Sequence, residues 1–213
     1  MGQQLRTALA LNGVAVGSLM LLGIYVKFGQ PLEPEGWRRA ENAVRLFSDC
    51  FTREQPFYGL ANSLSQLLWA AAVGLWLFSA ALVRQAATGS RFLLSTGLLT
   101  GLWMLDDVLG GTVMLSLFLG VPKALSTVVY GLLLLAYGLV FWPQLKPTPY
   151  GYLIVAVGLF GLSSLVDGIG LVGQAGPTLI EEGLKLVGLV NLVFYSWLVC
   201  DRTVIHHLSR SPQ

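Results

Sequence analysis

Charge is scarce in this chain. Its 213 residues include 13 Lys and Arg and 11 Asp and Glu, 11% in all, against 54% hydrophobic residues. Soluble domains carry about 25% charged residues, so the scarcity excludes an ordinary water-soluble domain and points to a bilayer. The signs nearly balance, with a formal net charge of +2, which leaves no field to hold a polyanion. Nor does the chain contain a basic patch, a phosphate-cradling glycine loop or a metal-finger spacing. A nucleic-acid partner is excluded.

Histidine is also rare. His206 and His207 are the only two, side by side in the C-terminal tail. A histidine–zinc centre and a Ser-His-Asp triad each need an imidazole beside the acids. The topology expected below sets the tail on the opposite membrane side from the acids, which removes both. The pair reads most simply as part of a solvated, weakly basic tail. Two cysteines, Cys50 and Cys200, are too few for a metal site. They fall on opposite faces of the expected bundle, which argues against an intrachain disulfide. A signal-peptide cleavage site is missing as well. Residues 7–26 form an apolar run longer than a usual signal core, and the following "IYVKFGQP" has no small-x-small site, so an uncleaved first span is expected. No internal repeat is evident.

Long apolar runs are what the chain has instead. A span needs roughly 20 apolar residues, and six runs qualify, at about 7–28, 57–83, 92–110, 121–142, 150–172 and 178–200. The expected fold is all-α: one transmembrane domain over residues 1–213, built as a bundle of six transmembrane helices. The third run continues through "GGTVMLSLFLGVPK", so its helix ends at Gly110–Gly111 or runs on towards Leu119. Trp142, Tyr150, Tyr152 and Trp197 fall near one set of ends, where interface aromatics belong. Gly13-x-x-x-Gly17 and Gly97-x-x-x-Gly101 have the spacing of closely packed helices. In the long first loop, Trp37, Ala40, Val44 and Phe47 recur at helical spacing among Arg38, Glu41 and Arg45. That pattern fits a short amphipathic surface helix, or equally a solvated loop helix.

Orientation rests on Lys and Arg in the loops. The side with both termini has Arg6, Arg84, Arg91, Lys146, Arg202 and Arg210; the other has Lys123 in its two short loops, and Lys27, Arg38, Arg39, Arg45 and Arg53 in the long one. The totals are equal, and the short loops favour termini in the cytoplasm. The expectation is a multi-pass protein of the cell membrane.

Six ionisable residues lie inside the expected spans: Asp106 and Asp107 in the third, Asp167 in the fifth, and Glu181, Glu182 and Lys185 in the sixth. At about 1.5 Å per residue, all six share the half of the membrane beneath the first and third loops. The second span enters from that face as "EQPFYGLANSLSQLLW" and brings Asn62, Ser63, Ser65 and Gln66 into the same layer. An uncompensated charge there costs at least about 2.5–3.5 kcal/mol. Glu181 and Glu182 stand four and three positions before Lys185, so they share its helical face. Lys185 is expected to be the counter-charge for its own helix and for Asp106 or Asp167.

Four functions fit such a layer. It can be an interhelical ion-pair network that fixes packing. It can be a site that binds or transports a cation or proton. A lipid hydrolase without zinc histidines is a less favoured third class, and an accessory subunit of a membrane complex is the fourth. No cofactor is expected beyond a cation of unspecified identity; an all-oxygen site would suit calcium or magnesium. The expected partners are the lipid bilayer and either a second copy or a membrane-complex protein.

Three stretches together, "WMLDDVLGG", "LFGLSSLVDGIG" and "IEEGLKLVGLV", resemble a widespread group of uncharacterised six-helix bacterial membrane proteins. That group carries Leu-Asp-Asp in the third helix, Ser-x-x-x-Asp in the fifth, and acidic-Gly-x-Lys-x-x-Gly in the sixth. The resemblance covers residues 92–200 and implies the six-helix fold, but no activity. Its members often place a His-Glu pair soon after the aspartates, where this chain has Gly110 and Gly111. More distantly, "REQPFYGLANSLSQLLW" and the two aspartates resemble the alkaline-ceramidase superfamily of membrane hydrolases, with Ser63 or Ser65 and Asp106 at matching positions. The zinc histidines of that superfamily are absent here.

Overall fold

The computed structural model of the protein describes residues 2–28, 59–84, 87–168 and 175–209, and every regular element among them is helical. The helices are α1 (Gly2–Phe28), α2 (Leu60–Leu82), α3 (Ala87–Leu109), α4 (Gly111–Leu119), α5 (Lys123–Val140), α6 (Trp142–Leu145), α7 (Gly151–Gly168) and α8 (Ala175–Leu208). Among the described residues, three stretches are long and apolar enough to cross a membrane: Leu60–Leu82, Gly89–Leu109 and Thr178–His207. Arg6–Leu21, Ala124–Val140 and Gly151–Asp167 are shorter apolar helices. The all-helical class is as the apolar runs predict, and the chain is a membrane protein. The surface helix expected within residues 29–56 lies outside the described residues, as do Cys50 and residues 169–172 at the end of the fifth expected span.

Glycine and proline set the helix ends. Gly59, at φ 70°, precedes α2 and its carbonyl accepts the Ser63 N–H at 2.9 Å. Gly110 (φ 62°) separates α3 from α4, and Gly120 (φ 65°) closes α4 by donating to the Leu115 carbonyl. These left-handed conformations carry a steric cost for any residue with a Cβ. The third apolar run therefore does both things its sequence allows: it stops at Leu109, then restarts as α4 and reaches Leu119. Pro122 stands immediately before α5, where a missing N–H costs nothing, and Pro143 sits in the first turn of α6 for the same reason. The helix that carries the sixth expected span extends beyond it. Helix α8 runs 34 residues to Leu208, about 51 Å at 1.5 Å per residue, against about 30 Å of hydrocarbon.

The chain forms two compact units, and their three boundaries fall inside helices α2, α7 and α8. The first unit holds residues up to Ser65 and Ile154–Asn191. Here α7 and α8 approach closely, because Gly188 brings its backbone against Phe160 and the Ala156 carbonyl; a Cβ there would stand 2.9 Å from Phe160 Cε1. Ser163 on α7 donates to the Glu181 carbonyl of α8 at 3.0 Å. Ala156, Leu189 and Asn191 are fully buried in this unit.

The second unit holds Gln66–Leu153 and Leu192 onwards. Its core is aromatic. Trp76 is fully buried, with Phe92 edge-on at 6.2 Å and Tyr195 at 5.8 Å between ring centroids. Phe92 in turn meets Tyr137 and Phe141. Cys200 is buried and free, its thiol directed at the Leu75 carbonyl. Gly97 admits this packing: a Cβ there would lie 2.8 Å from Leu77 Cδ2 and 3.0 Å from Trp76 Cβ. The Gly97-x-x-x-Gly101 spacing thus marks a true helix contact between α2 and α3. Around Gly13 and Gly17, by contrast, a Cβ would meet nothing within 4 Å.

Large apolar side chains point outward on α4 and α5, Phe118, Leu117 and Leu139 among them. In water they would be a liability; in a bilayer they meet acyl chains. Gly97→Val is expected to lower stability by about 1–3 kcal/mol through overpacking. Gly74→Ala adds a methyl to open space and should be neutral or slightly stabilising. Unfolding of both variants in detergent checks the contact, and equal stabilities would refute it.

Candidate functional site

The ionisable residues of the apolar helices divide between the two units. In the first, Asp167 is the penultimate residue of α7, and Glu181, Glu182 and Lys185 lie near the start of α8, all half-buried. Lys185 Nζ donates to Glu182 Oε1 at 3.0 Å, an i, i+3 pair in which both side chains keep 22% of their surface accessible. The spacing of Lys185 to its own helix predicts this pair. Asn62 and Ser63, in the first turn of α2, are half-buried in the same unit.

In the second unit, Asp106 and Asp107 close α3 and Gln66 lies on α2, all half-buried. As expected of neighbours about 100° apart on a helix, the two aspartates do different things. Asp107 Oδ2 accepts the indole N–H of buried Trp69 from α2, at 3.1 Å. Asp106 turns to the start of α4. Its Oδ1 accepts the backbone N–H of Thr112 at 2.7 Å, and the Thr112 hydroxyl stands 2.8 Å from both carboxylate oxygens.

Three further residues of "DDVLGGT" make that arrangement with Asp106. Gly110 makes the left-handed turn. Gly111 leaves room for the carboxylate, since a Cβ there would fall 2.9 Å from Asp106 Oδ1. Thr112 supplies two donors, one of them among the backbone N–H groups that a helix start leaves without an internal partner. The positive end of the α4 dipole adds to the attraction. Asp106 is thus a helix cap delivered from the preceding helix.

It is also the charged member of a cavity of about 550 Å³, lined by Leu102, Leu105, Leu109, Met114, Leu115 and Tyr130 among others. Of the nine residues expected to form a buried polar site, Asp106 is the one that lines this space. Tyr130, on α5, neighbours Asp106 there. Among the described residues no lysine or arginine forms an ion pair with Asp106; its hydrogen-bond donors are the neutral groups of Thr112 and the Tyr130 hydroxyl. Nor, among the described residues, do three or more His, Cys, Asp or Glu side chains gather there in a group fit to hold a metal ion.

Charge was one signal; amides proved to be another. Asn12 on α1 and Asn191 on α8, in the first unit, form a reciprocal pair. Asn12 Nδ2 donates to Asn191 Oδ1 at 3.0 Å, and Asn191 Nδ2 donates to Asn12 Oδ1 at 2.6 Å. The second hydrogen of each amide goes to a carbonyl of its own helix, that of Ala8 and that of Val187. A lone Asn inside each of two apolar runs was the available sign, because an amide in hydrocarbon must find partners on another helix. Thr112 and Tyr130 carried no such mark. Replacing Asn191 by Leu should cost about 0.6–2 kcal/mol, and adding Asn12→Leu should restore part of it. A double-mutant cycle in detergent measures the coupling, and a coupling near zero would sink the pair as a stabilising contact.

Residues 7–199 match a protein family described as a domain of unknown function (DUF8692). No curated protein and no solved structure matches the chain.

Proposed function

The chain belongs to the DUF8692 family, and we propose that this member is a six-span protein of the cell membrane that binds a cation or proton at Asp106. Binding there is the step from which transport would start. One observation carries the reading: a carboxylate near the end of an apolar helix borders a cavity of about 550 Å³ and is held by neutral donors, with no lysine or arginine paired to it among the described residues. A lipid-embedded acid without a counter-charge costs at least about 2.5–3.5 kcal/mol. A bound cation, or a proton, offsets that cost.

The six-span topology has independent support. The shorter helices α5 and α7 have 18 residues each, about 27 Å at 1.5 Å per residue, near the hydrocarbon thickness. Both termini then share one face, which the basic residues of the short loops assign to the cytoplasm. Cysteine labelling from either side of the membrane tests this, in a background with Cys50 and Cys200 replaced. Cysteines at Arg84, Pro147 and Ser209 should react from the cytoplasmic side and one at Pro122 from the other; Pro122 reacting alongside the first three defeats the topology.

The reading of the charges as a packing network applies best to α8 and to Asp107. Glu182 neutralises Lys185 at 3.0 Å, and Asp107 receives the Trp69 indole. Such groups hold helices in place and do not need a ligand. Asp106 is the exception.

Thermal unfolding of the purified protein checks cation binding, with sodium, potassium, calcium, magnesium, ammonium ions and pH varied in turn. A ligand that binds the folded state alone stabilises by about 2.7 kcal/mol at a hundred times its dissociation constant. Asp106→Asn, which keeps an oxygen for the Thr112 N–H, should abolish the shift, whereas Glu182→Gln should leave it. If no ion gives a shift that depends on Asp106, the residue is a cap and nothing more.

A further inference from the structure

The cavity beside Asp106 is built for more than an ion. A hard cation such as calcium asks for six to eight oxygen ligands, and magnesium for six. The lining offers the two oxygens of Asp106 and the Tyr130 hydroxyl among side chains that are otherwise apolar or glycine. A proton needs no cavity at all. The space is an open groove along the helices, and its volume, about 550 Å³, lies in the range that holds small organic ligands. Leu102, Leu105 and Leu109 of α3 line it together with Met114, Leu115 and Phe118 of α4. None of α4 is buried, so ligands can reach the cavity from outside the helices. The aromatic ring of Tyr130 adds attraction for a cation.

We propose that this cavity binds an alkylammonium ion, with its ammonium on the Asp106 carboxylate and its unbranched chain along the leucines of α3 and the Met114–Leu115 face of α4. The inference rests on the reading of Asp106 as a cation site and names the class of cation. Each end of such a molecule meets its complement. The ammonium supplies a counter-charge that no described residue provides, through up to three N–H donors, and the chain covers apolar wall that a metal ion leaves bare. A molecule of this kind partitions into the bilayer and arrives from the lipid side, where α4 stands open.

The test compares three probes on the full chain in a detergent with an uncharged headgroup: decylammonium, methylammonium and decanol. Binding is read by thermal unfolding. Decylammonium should stabilise the protein at concentrations at least about tenfold below those methylammonium needs, and decanol should not stabilise it. Asp106→Asn should weaken decylammonium binding at least about tenfold by removing a charge-assisted bond. Leu115→Trp leaves the Asp106 carboxylate in place and fills the chain's path. It should weaken decylammonium about as much while sparing methylammonium, which keeps the proposal testable should Asp106→Asn fold poorly. Equal effects of decanol and decylammonium would show an apolar groove without a charge site and overturn the inference. An Asp106-dependent shift with methylammonium or a metal ion, but no gain from the chain, would overturn it and leave the cation reading standing. The absence of any Asp106-dependent shift overturns both.

Discussion

Hydrocarbon offers no hydrogen bonds, so every polar group that enters it must find its partner inside the protein. The polar side chains of the described helices follow from that constraint. Ser65, Thr96, Ser196 and Thr203 each donate to the carbonyl four residues back in their own helix, which makes a hydroxyl tolerable at depth. Asn12 and Asn191 use two carbonyls and each other, leaving neither amide hydrogen unused. The aspartates closing α3 take an indole and a threonine. Trp76 departs from the pattern: its ring is fully buried and its N–H has no acceptor among the described residues. An orphan donor of that kind costs about 1–3 kcal/mol, which the surrounding rings of Phe92 and Tyr195 offset through contact.

Much of the fold was legible because a bilayer imposes a length on apolar runs. The helical class, the positions of the runs and the close approach at Gly97 all follow from counting and spacing. The restart at α4 was not legible, because Gly110–Gly111 fits a helix end and a helix break alike. The choice is made by a carboxylate four residues earlier meeting a threonine just after, a contact that exists only once the chain has turned. The far end of α8 was not legible for another reason. Hydropathy falls at Asp201 and Arg202, but a helix propagates on backbone bonds and need not stop where lipid does.

The candidate site was half legible. An acid within an apolar helix marks itself, and so did the Glu182–Lys185 pair, which the helical repeat alone brings together. What no count of residues supplies is the rotation of each helix about its axis. That rotation turns Asp107 to Trp69 and Asp106 to Thr112, and it brings Tyr130 to the same cavity as Asp106. The Asn12–Asn191 pair carries no charge to mark it, although a neutral amide in lipid also needs a partner.

Helix α4 buries none of its side chains, so little apolar contact fixes where it lies. Its orientation is tied instead to one carboxylate, and that carboxylate has a limited number of lone pairs. Thr112 and any guest of the cavity draw on the same oxygens. By thermodynamic reciprocity, whatever a guest changes in the hold of Asp106 on Thr112, the seating of α4 must return in the guest's affinity. Through that carboxylate, occupancy of the cavity by a guest would be coupled to the attitude of this nine-residue helix.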